Sequence, residues 1–196
     1  MVIVGLTGGI GSGKTTILEC FQSFGVPVYI ADKEAKALMN RSKIIRKKLI
    51  LLFGNDAYKD GKLNKPYLSS KIFSDKEMLF KMNAIVHPKV ASHFKRWLKK
   101  QDAQYVIKEA AIIFENNLES QYNYIITVVA EENLRLQRVI KRDNTSKDRV
   151  KSIIKNQLSD ADKIEKSDFV IVNNDLDEAK KQAFKIHKDI LKKIKQ

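Results

Sequence analysis

Residues 2–16 read Val2-Ile3-Val4-Gly5-Leu6-Thr7-Gly8-Gly9-Ile10-Gly11-Ser12-Gly13-Lys14-Thr15-Thr16. An apolar run passes straight into G-x-x-x-x-G-K-[ST], and Ile17, Leu18, Phe21 and Phe24 then fall on one face of a helix. Strand, glycine-rich loop and helix in that order predict a phosphate-binding loop. The alternative is a glycine-rich turn that binds nothing, but the residue types suit phosphate. Backbone N–H groups can wrap a polyphosphate closely only where side chains are out of the way, as at Gly11 and Gly13 around Ser12. Lys14 brings a point charge to the β- and γ-phosphates. The Thr15 hydroxyl, with Thr16 beside it, offers a hard oxygen to Mg²⁺, and the helix starting there points its positive end at the anion. The pattern predicts nucleotide binding and is silent about what is done with the nucleotide.

Outward from this loop the chain alternates. Short β-rich runs lie at Val2–Leu6, Val26–Ile30, Tyr105–Lys108, Tyr124–Ala130 and Phe169–Val172, with helical periodicity between them. Apolar strands separated by helices predict an α/β fold, a parallel sheet with helices on both faces. Ser74-x-x-Glu77 reads as a capping box ahead of Met78, Leu79 and Met82. Pro88 should end that helix near His87 and open the next, whose apolar face is Val90, Phe94, Trp97 and Leu98. The expected organisation is one domain over 1–196, with inserted helical regions at about 33–100, for substrate, and about 131–165.

A chain of 196 residues with 43% hydrophobic residues can bury a core as one domain. No apolar stretch approaches the ~20 residues of a membrane helix, so no membrane association is expected. The opening residues resemble neither a signal nor a transit peptide, which makes cytoplasm the expected location. A single cysteine, Cys20, excludes an intramolecular disulfide and a cysteine-rich zinc site. The net charge of +14 attracts polyanions, whether nucleic acid, acidic membranes or phosphorylated small molecules. Residues 176–196 carry seven Lys against three acids among spaced apolar residues, and read as an amphipathic helix with a solvated basic face in preference to a nucleic-acid arm.

Two further places invite a chemical role. Asp32 follows the strand Val26–Ile30, and ligands of doubly wound sheets bind beyond the carboxyl ends of strands. It could equally cap the helix that begins at Lys33. Between 135 and 155 lie eight basic residues, Arg135, Arg138, Lys141, Arg142, Lys147, Arg149, Lys151 and Lys155, against Asp143 and Asp148. Arg138 and Arg142 share a helical face and could close on a migrating phosphoryl group, or the helix could simply be solvated.

Taken together, the motifs resemble those of the dephospho-coenzyme A kinase family, along nearly the whole chain. Gly5-Leu6-Thr7-Gly8-Gly9-Ile10-Gly11-Ser12-Gly13-Lys14 matches the family's opening. Val28-Tyr29-Ile30-Ala31-Asp32 stands where Asp-Ala-Asp is usual, keeping the second acid. Asp60-Gly61-Lys62-Leu63-Asn64-Lys65 is similar to Asp-Gly-x-Leu-Asp-Arg, and Asn83 through His87-Pro88 to the family's His-Pro. Ala111-Ile112-Ile113-Phe114-Glu115 stands for Pro-Leu-Leu-Phe-Glu. Gln137-Arg138, Arg142-Asp143, Gln157 and Asp168 through Asn173-Asn174 complete the order. Ile30, Lys65 and Ala111 are mild departures.

The resemblance implies a P-loop kinase fold with a helical acceptor region and a lid, and MgATP-dependent phosphorylation of the ribose 3′-hydroxyl of dephospho-CoA. By position, Asp32 would orient or deprotonate that hydroxyl, while Lys14 and Thr15 serve phosphates and Mg²⁺. Arg138 and Arg142 would belong to the lid, Asn173 would lie near the adenine, and Lys65, His87 and Glu115 would map to the acceptor side. His87 could also be a helix-end residue satisfied by backbone. A monomer with no nucleic-acid partner is expected. Another small-molecule kinase would share core and lid. A nucleic-acid-dependent ATPase would suit the charge, but no apolar strand ends in a clear Walker-B aspartate; Tyr105–Lys108 is followed by Glu109.

Overall fold

The computed structural model describes residues 1–73 and 75–196. In chain order it forms β1 (Val2–Thr7), α1 (Lys14–Ser23), β2 (Val28–Ile30), α2 (Ala31–Arg41), α3 (Lys43–Phe53), β3 (Tyr58–Lys59) and β4 (Lys62–Leu63). There follow α4 (Lys65–Phe73), α5 (Lys76–Leu98), β5 (Tyr105–Glu109), β6 (Tyr124–Val129), α6 (Glu132–Asp143), α7 (Lys147–Lys155), α8 (Asp160–Glu165), β7 (Phe169–Val172) and α9 (Leu176–Ile194). The chain divides into two compact units, Met1–Tyr29 with Gln101–Gln196, and Ile30–Lys100.

A five-stranded sheet in the order β2-β5-β1-β6-β7 organises the first unit. β1 pairs in parallel with β5 and β6, and β6 with β7. Its strands are apolar on both faces, as a sheet covered on both sides requires: Val4, Leu6, Val106, Ile107, Ile126, Val128 and Ile171 are wholly buried. Against it α1 turns Ile17, Leu18 and Phe21 inward. α9 turns in Ala179, Ala183, Ile186 and Ile190, the amphipathic helix expected of the basic terminal segment. Leu136, Val139 and Val150 join α6 to α7 in a smaller cluster. All five strands fall where the sequence predicts them, to within about two residues at their ends.

In the second unit α2, α3 and α4 pack on α5. Here the expected break at Pro88 does not occur: α5 runs unbroken from Lys76 to Leu98 with Pro88 inside it. A proline in a helix interior costs about 3 kcal/mol. Burial of Val86, Val90 and Phe94 on either side of it, against three neighbouring helices, outweighs that local preference. His87 is accordingly an exposed mid-helix residue rather than a helix end. The capping box expected at Ser74 lies outside the described residues; the cap described at this end is Asp75, which accepts from Met78 N at 3.0 Å.

The β3–β4 ribbon is an addition that the strand pattern does not predict. Its turn holds Asp60 and Gly61 at φ 50° and 77°, both left-handed, as a tight two-residue hairpin turn requires. Asn64 then ties the ribbon to what precedes it, Nδ2 donating to the Asp56 carbonyl at 3.0 Å.

Candidate active site

The phosphate loop leaves the carboxyl end of β1, the middle strand. Gly13, at the position before α1, has φ 93°, and a Cβ there would collide with the Asn173 amide. Ser12 N closes the loop on the Gly9 carbonyl at 3.2 Å. Lys14 Nζ lies across the loop, donating to the carbonyls of Gly8 (2.8 Å) and Gly9 (3.3 Å). Thr15 and Thr16 sit in the first turn of α1, where the unbonded N–H groups and the helix dipole favour an anion.

Asn173 follows β7 directly and reaches this loop. Its Nδ2 donates to the Ser12 carbonyl at 2.8 Å, and its own carbonyl accepts from Arg138 Nη2 at 3.0 Å. Two expected site residues far apart in sequence are thus brought onto the loop. Among the described residues, Ser12 Oγ, Arg138 Nη1 and Asn173 Oδ1 are buried without a hydrogen-bond partner. Each such atom carries a penalty of about 1–3 kcal/mol unless something meets it. Three of them around one loop are what a polar, multiply charged ligand would satisfy. Arg142 lies one turn beyond Arg138 but is exposed, with Nε and Nη2 both donating to Asp143 at 2.7 and 2.8 Å.

The segment from Gln157 to Lys163 is pinned to the same region. Gln157 Oε1 accepts from Ile10 N at 2.9 Å, and Arg135 joins the Ile10 carbonyl to Asp160. Glu115 Oε1 accepts from Leu158 N at 3.1 Å and pairs with wholly buried Lys163 at 2.9 Å. Burial alone would push the Glu115 carboxyl up. The close Lys163 ammonium, paired with it as an ion, and the N–H groups of Glu115 and Leu158 outweigh it and hold the carboxyl below its usual range. Glu115 Oε2 is buried with no hydrogen-bond partner among the described residues.

Two residues of this region escape sequence reasoning. Lys163 has no signal of its own, because a buried lysine is recognisable only with its partner beside it. Glu109 had one. β5 runs on to include it, its register partner is Leu6, just ahead of the loop, and it is buried. An acid therefore does end the strand next to β1, where a Walker-B carboxylate would stand.

In the second unit, Asp32 lies inside the first turn of α2 rather than capping it. β2 passes directly into the helix, and Ile30 occupies the cap position without a side-chain bond. Asp32 is exposed. Lys65 opens α4 and is exposed.

A mostly parallel sheet of this order, with a phosphate loop after its middle strand and an arginine-bearing helix on that loop, defines a P-loop kinase. The comparisons narrow the class. A family model described as dephospho-CoA kinase matches residues 2–178. A dephospho-CoA kinase of Bacteroides fragilis is 38% identical over 172 residues, which is 87% of this chain and 84% of that protein. A crystal structure from Thermus thermophilus superimposes with TM-score 0.89 at 29% identity, covering 97% of each chain. The dephospho-CoA kinase of Campylobacter jejuni, 23% identical, shares the fold with TM-score 0.69 over 96% of each chain. The chain belongs to the dephospho-CoA kinase family and is an ATP-dependent kinase.

Proposed function

We propose that the chain transfers the γ-phosphoryl group of ATP to the ribose 3′-hydroxyl of dephospho-CoA, giving CoA and ADP, the last step in making coenzyme A. The observation that carries the nucleotide half is the phosphate loop ringed by Asn173 and Arg138, with three buried polar atoms left for a ligand. Gly11, Ser12, Gly13, Lys14, Thr15 and Thr16 would hold the triphosphate, and Asn173 would border the adenine. Arg138, and Arg142 once freed from Asp143, would meet the charge that spreads over the migrating group's oxygens.

Mg²⁺ suits the donors present. The ion binds through one or two protein oxygens together with substrate phosphates and water, and Thr15 Oγ1 and the Glu109 carboxylate are hard oxygens flanking the loop in the fold. Bound there it would neutralise charge on the β- and γ-phosphates. Asp32 would accept the hydrogen bond of the 3′-hydroxyl, aligning it and taking its proton as the new P–O bond forms. Lys65, His87 and Glu115, the last through Oε2, would serve the acceptor; support for these comes from their match to the family's motifs. The excess positive charge suits two polyanionic substrates, so we expect no nucleic-acid partner, a monomer, and a cytoplasmic location. Among the described residues no helix is long and apolar enough to cross a membrane.

The test is ADP formation with dephospho-CoA, AMP, adenosine and single-stranded DNA supplied separately. Turnover should require dephospho-CoA and be indifferent to DNA. Turnover with AMP but not dephospho-CoA, or stimulation by DNA alone, overturns the assignment.

A further inference from the structure

Arg135 belongs to the basic stretch of α6, yet only 5% of its surface is exposed. Its guanidinium is divided between two tasks. Nε donates to the Ile10 carbonyl at 2.9 Å, in the middle of the phosphate loop, and Nη1 donates to Asp160 Oδ2 at 2.7 Å. The other backbone group of Ile10 is also held, its N–H donating to Gln157 Oε1 at 2.9 Å. The loop's glycines fit around this arginine. A Cβ on Gly9 would run into the guanidinium, and one on Gly11 would come within 2.6 Å of the Arg135 carbonyl oxygen. Close approach by α6, as well as by phosphate, therefore keeps these two positions small.

We infer that Arg135 is a positioning residue for nucleotide binding: with Gln157 it fixes both backbone groups of Ile10, so that the loop N–H groups are aimed before the polyphosphate arrives. The inference rests on the reading that this loop holds the phosphates of ATP. Arg135 acts through the loop and contacts no substrate itself. A planar fork suits the task because one arm can be anchored on Asp160 while another grips the carbonyl. An ammonium carries all its donors on one nitrogen and could not reach partners spaced as Nε and Nη1 hold these two. Because the loop holds phosphates in the ground state as well as during transfer, loosening it should weaken ATP binding more than it slows the bound complex.

The experiment compares wild type with Arg135→Gln, Arg135→Lys and Gln157→Ala, reading equilibrium ATP binding, KM for each substrate, kcat and melting temperature. Hydrogen bonds to charged groups are worth enough that Arg135→Gln should raise the Kd and KM for ATP about ten- to hundredfold, with KM for dephospho-CoA near wild type. Arg135→Lys should recover only part of this, and Gln157→Ala should show a smaller rise in the same two values. ATP binding unchanged in Arg135→Gln despite a lower melting temperature overturns the inference, as does full recovery by Arg135→Lys, since charge alone would then suffice. If Arg135→Gln does not fold, Gln157→Ala decides, and an unchanged KM for ATP overturns the inference. Failure of the wild type itself to bind ATP would instead overturn the reading of the loop.

Discussion

Asn173 donates from Nδ2 to the carbonyl of Ser12 at 2.8 Å, joining the residue after β7 to the heart of the phosphate loop across 161 positions of sequence. The absence of a side chain on Gly13 makes the approach possible. Four other bonds hold the knot: Asn173 N on the Val129 carbonyl, Arg138 on the Asn173 carbonyl, and the two that Glu131 and Asn174 exchange. Asn173→Asp keeps the size but sets a carboxylate against the Ser12 carbonyl and beside the polyphosphate. It should therefore raise KM for ATP more than Asn173→Ala does, by about tenfold beyond it, given the penalty for a buried unpaired charge. Equal KM values for the two variants would mean that only bulk matters at this position.

Glu115 and Lys163 predict an acid limb to the stability curve. With the folded carboxyl held below its ordinary value, the pair contributes in full above the unfolded pKa of about 4.3, and the contribution is lost as pH falls through the lower folded value. Melting temperature followed downward from neutral pH should fall less steeply in Glu115→Gln than in wild type below about pH 4.3. Lys163→Met leaves the carboxylate buried and uncompensated, a loss of about 3–5 kcal/mol, most of which Glu115→Gln in the same chain should restore. Identical acid slopes for wild type and Glu115→Gln would remove Glu115 as their source.

Arg138 and Arg142 should separate in kinetics. Arg138 already lies against Asn173 with Nη1 buried and, among the described residues, unmet, so Arg138→Ala should weaken ATP binding and lower kcat together. Arg142 is 63% exposed and paired with the adjacent Asp143, and would contribute only after leaving it. Arg142→Ala should therefore lower kcat, by roughly tenfold or more if it meets the migrating charge, with ATP affinity near wild type. Unchanged kcat in Arg142→Ala would leave that residue a solvated surface charge.

The nucleotide half of the fold was legible because its signals are local. β1 and the loop lie in one unbroken stretch, and each buried strand announces itself as an apolar run, so the order of strands and helices follows from reading along the chain. Signals that depend on tertiary contact were not legible. Pro88 argues for a helix end as long as the neighbouring helices are unknown; packing of Val86, Val90 and Phe94 reverses it. Arg135 looks like one more cation in a basic helix until Asp160 and Ile10 are beside it. Lys163 is likewise defined by Glu115. The Asp60-Gly61 turn is a two-residue signal flanked by strands too short to show alternation.

Asp32 carries the remaining chemical question. A secondary hydroxyl is a poor nucleophile that must be aligned with the γ-phosphate and must lose its proton, and a carboxylate that accepts its hydrogen bond can do both. Asp32 stands two residues past the end of β2 with its side chain exposed. In the first turn of α2 its charge also faces the positive end of the helix, which is worth about 0.3–1 kcal/mol. Asp32→Asn keeps the size and gives up only that small term, so the fold should survive with a slightly lower melting temperature. ATP affinity should be near wild type, because the proposed partner is the acceptor. General-base and orienting effects are worth roughly 10²–10⁴ in rate, or about 3–5 kcal/mol of barrier, and kcat should fall by that range. The dipole term is too small to imitate such a loss. A kcat within about threefold of wild type would lie below anything a positioned base contributes, and would leave Asp32 as a helix-terminal charge alone.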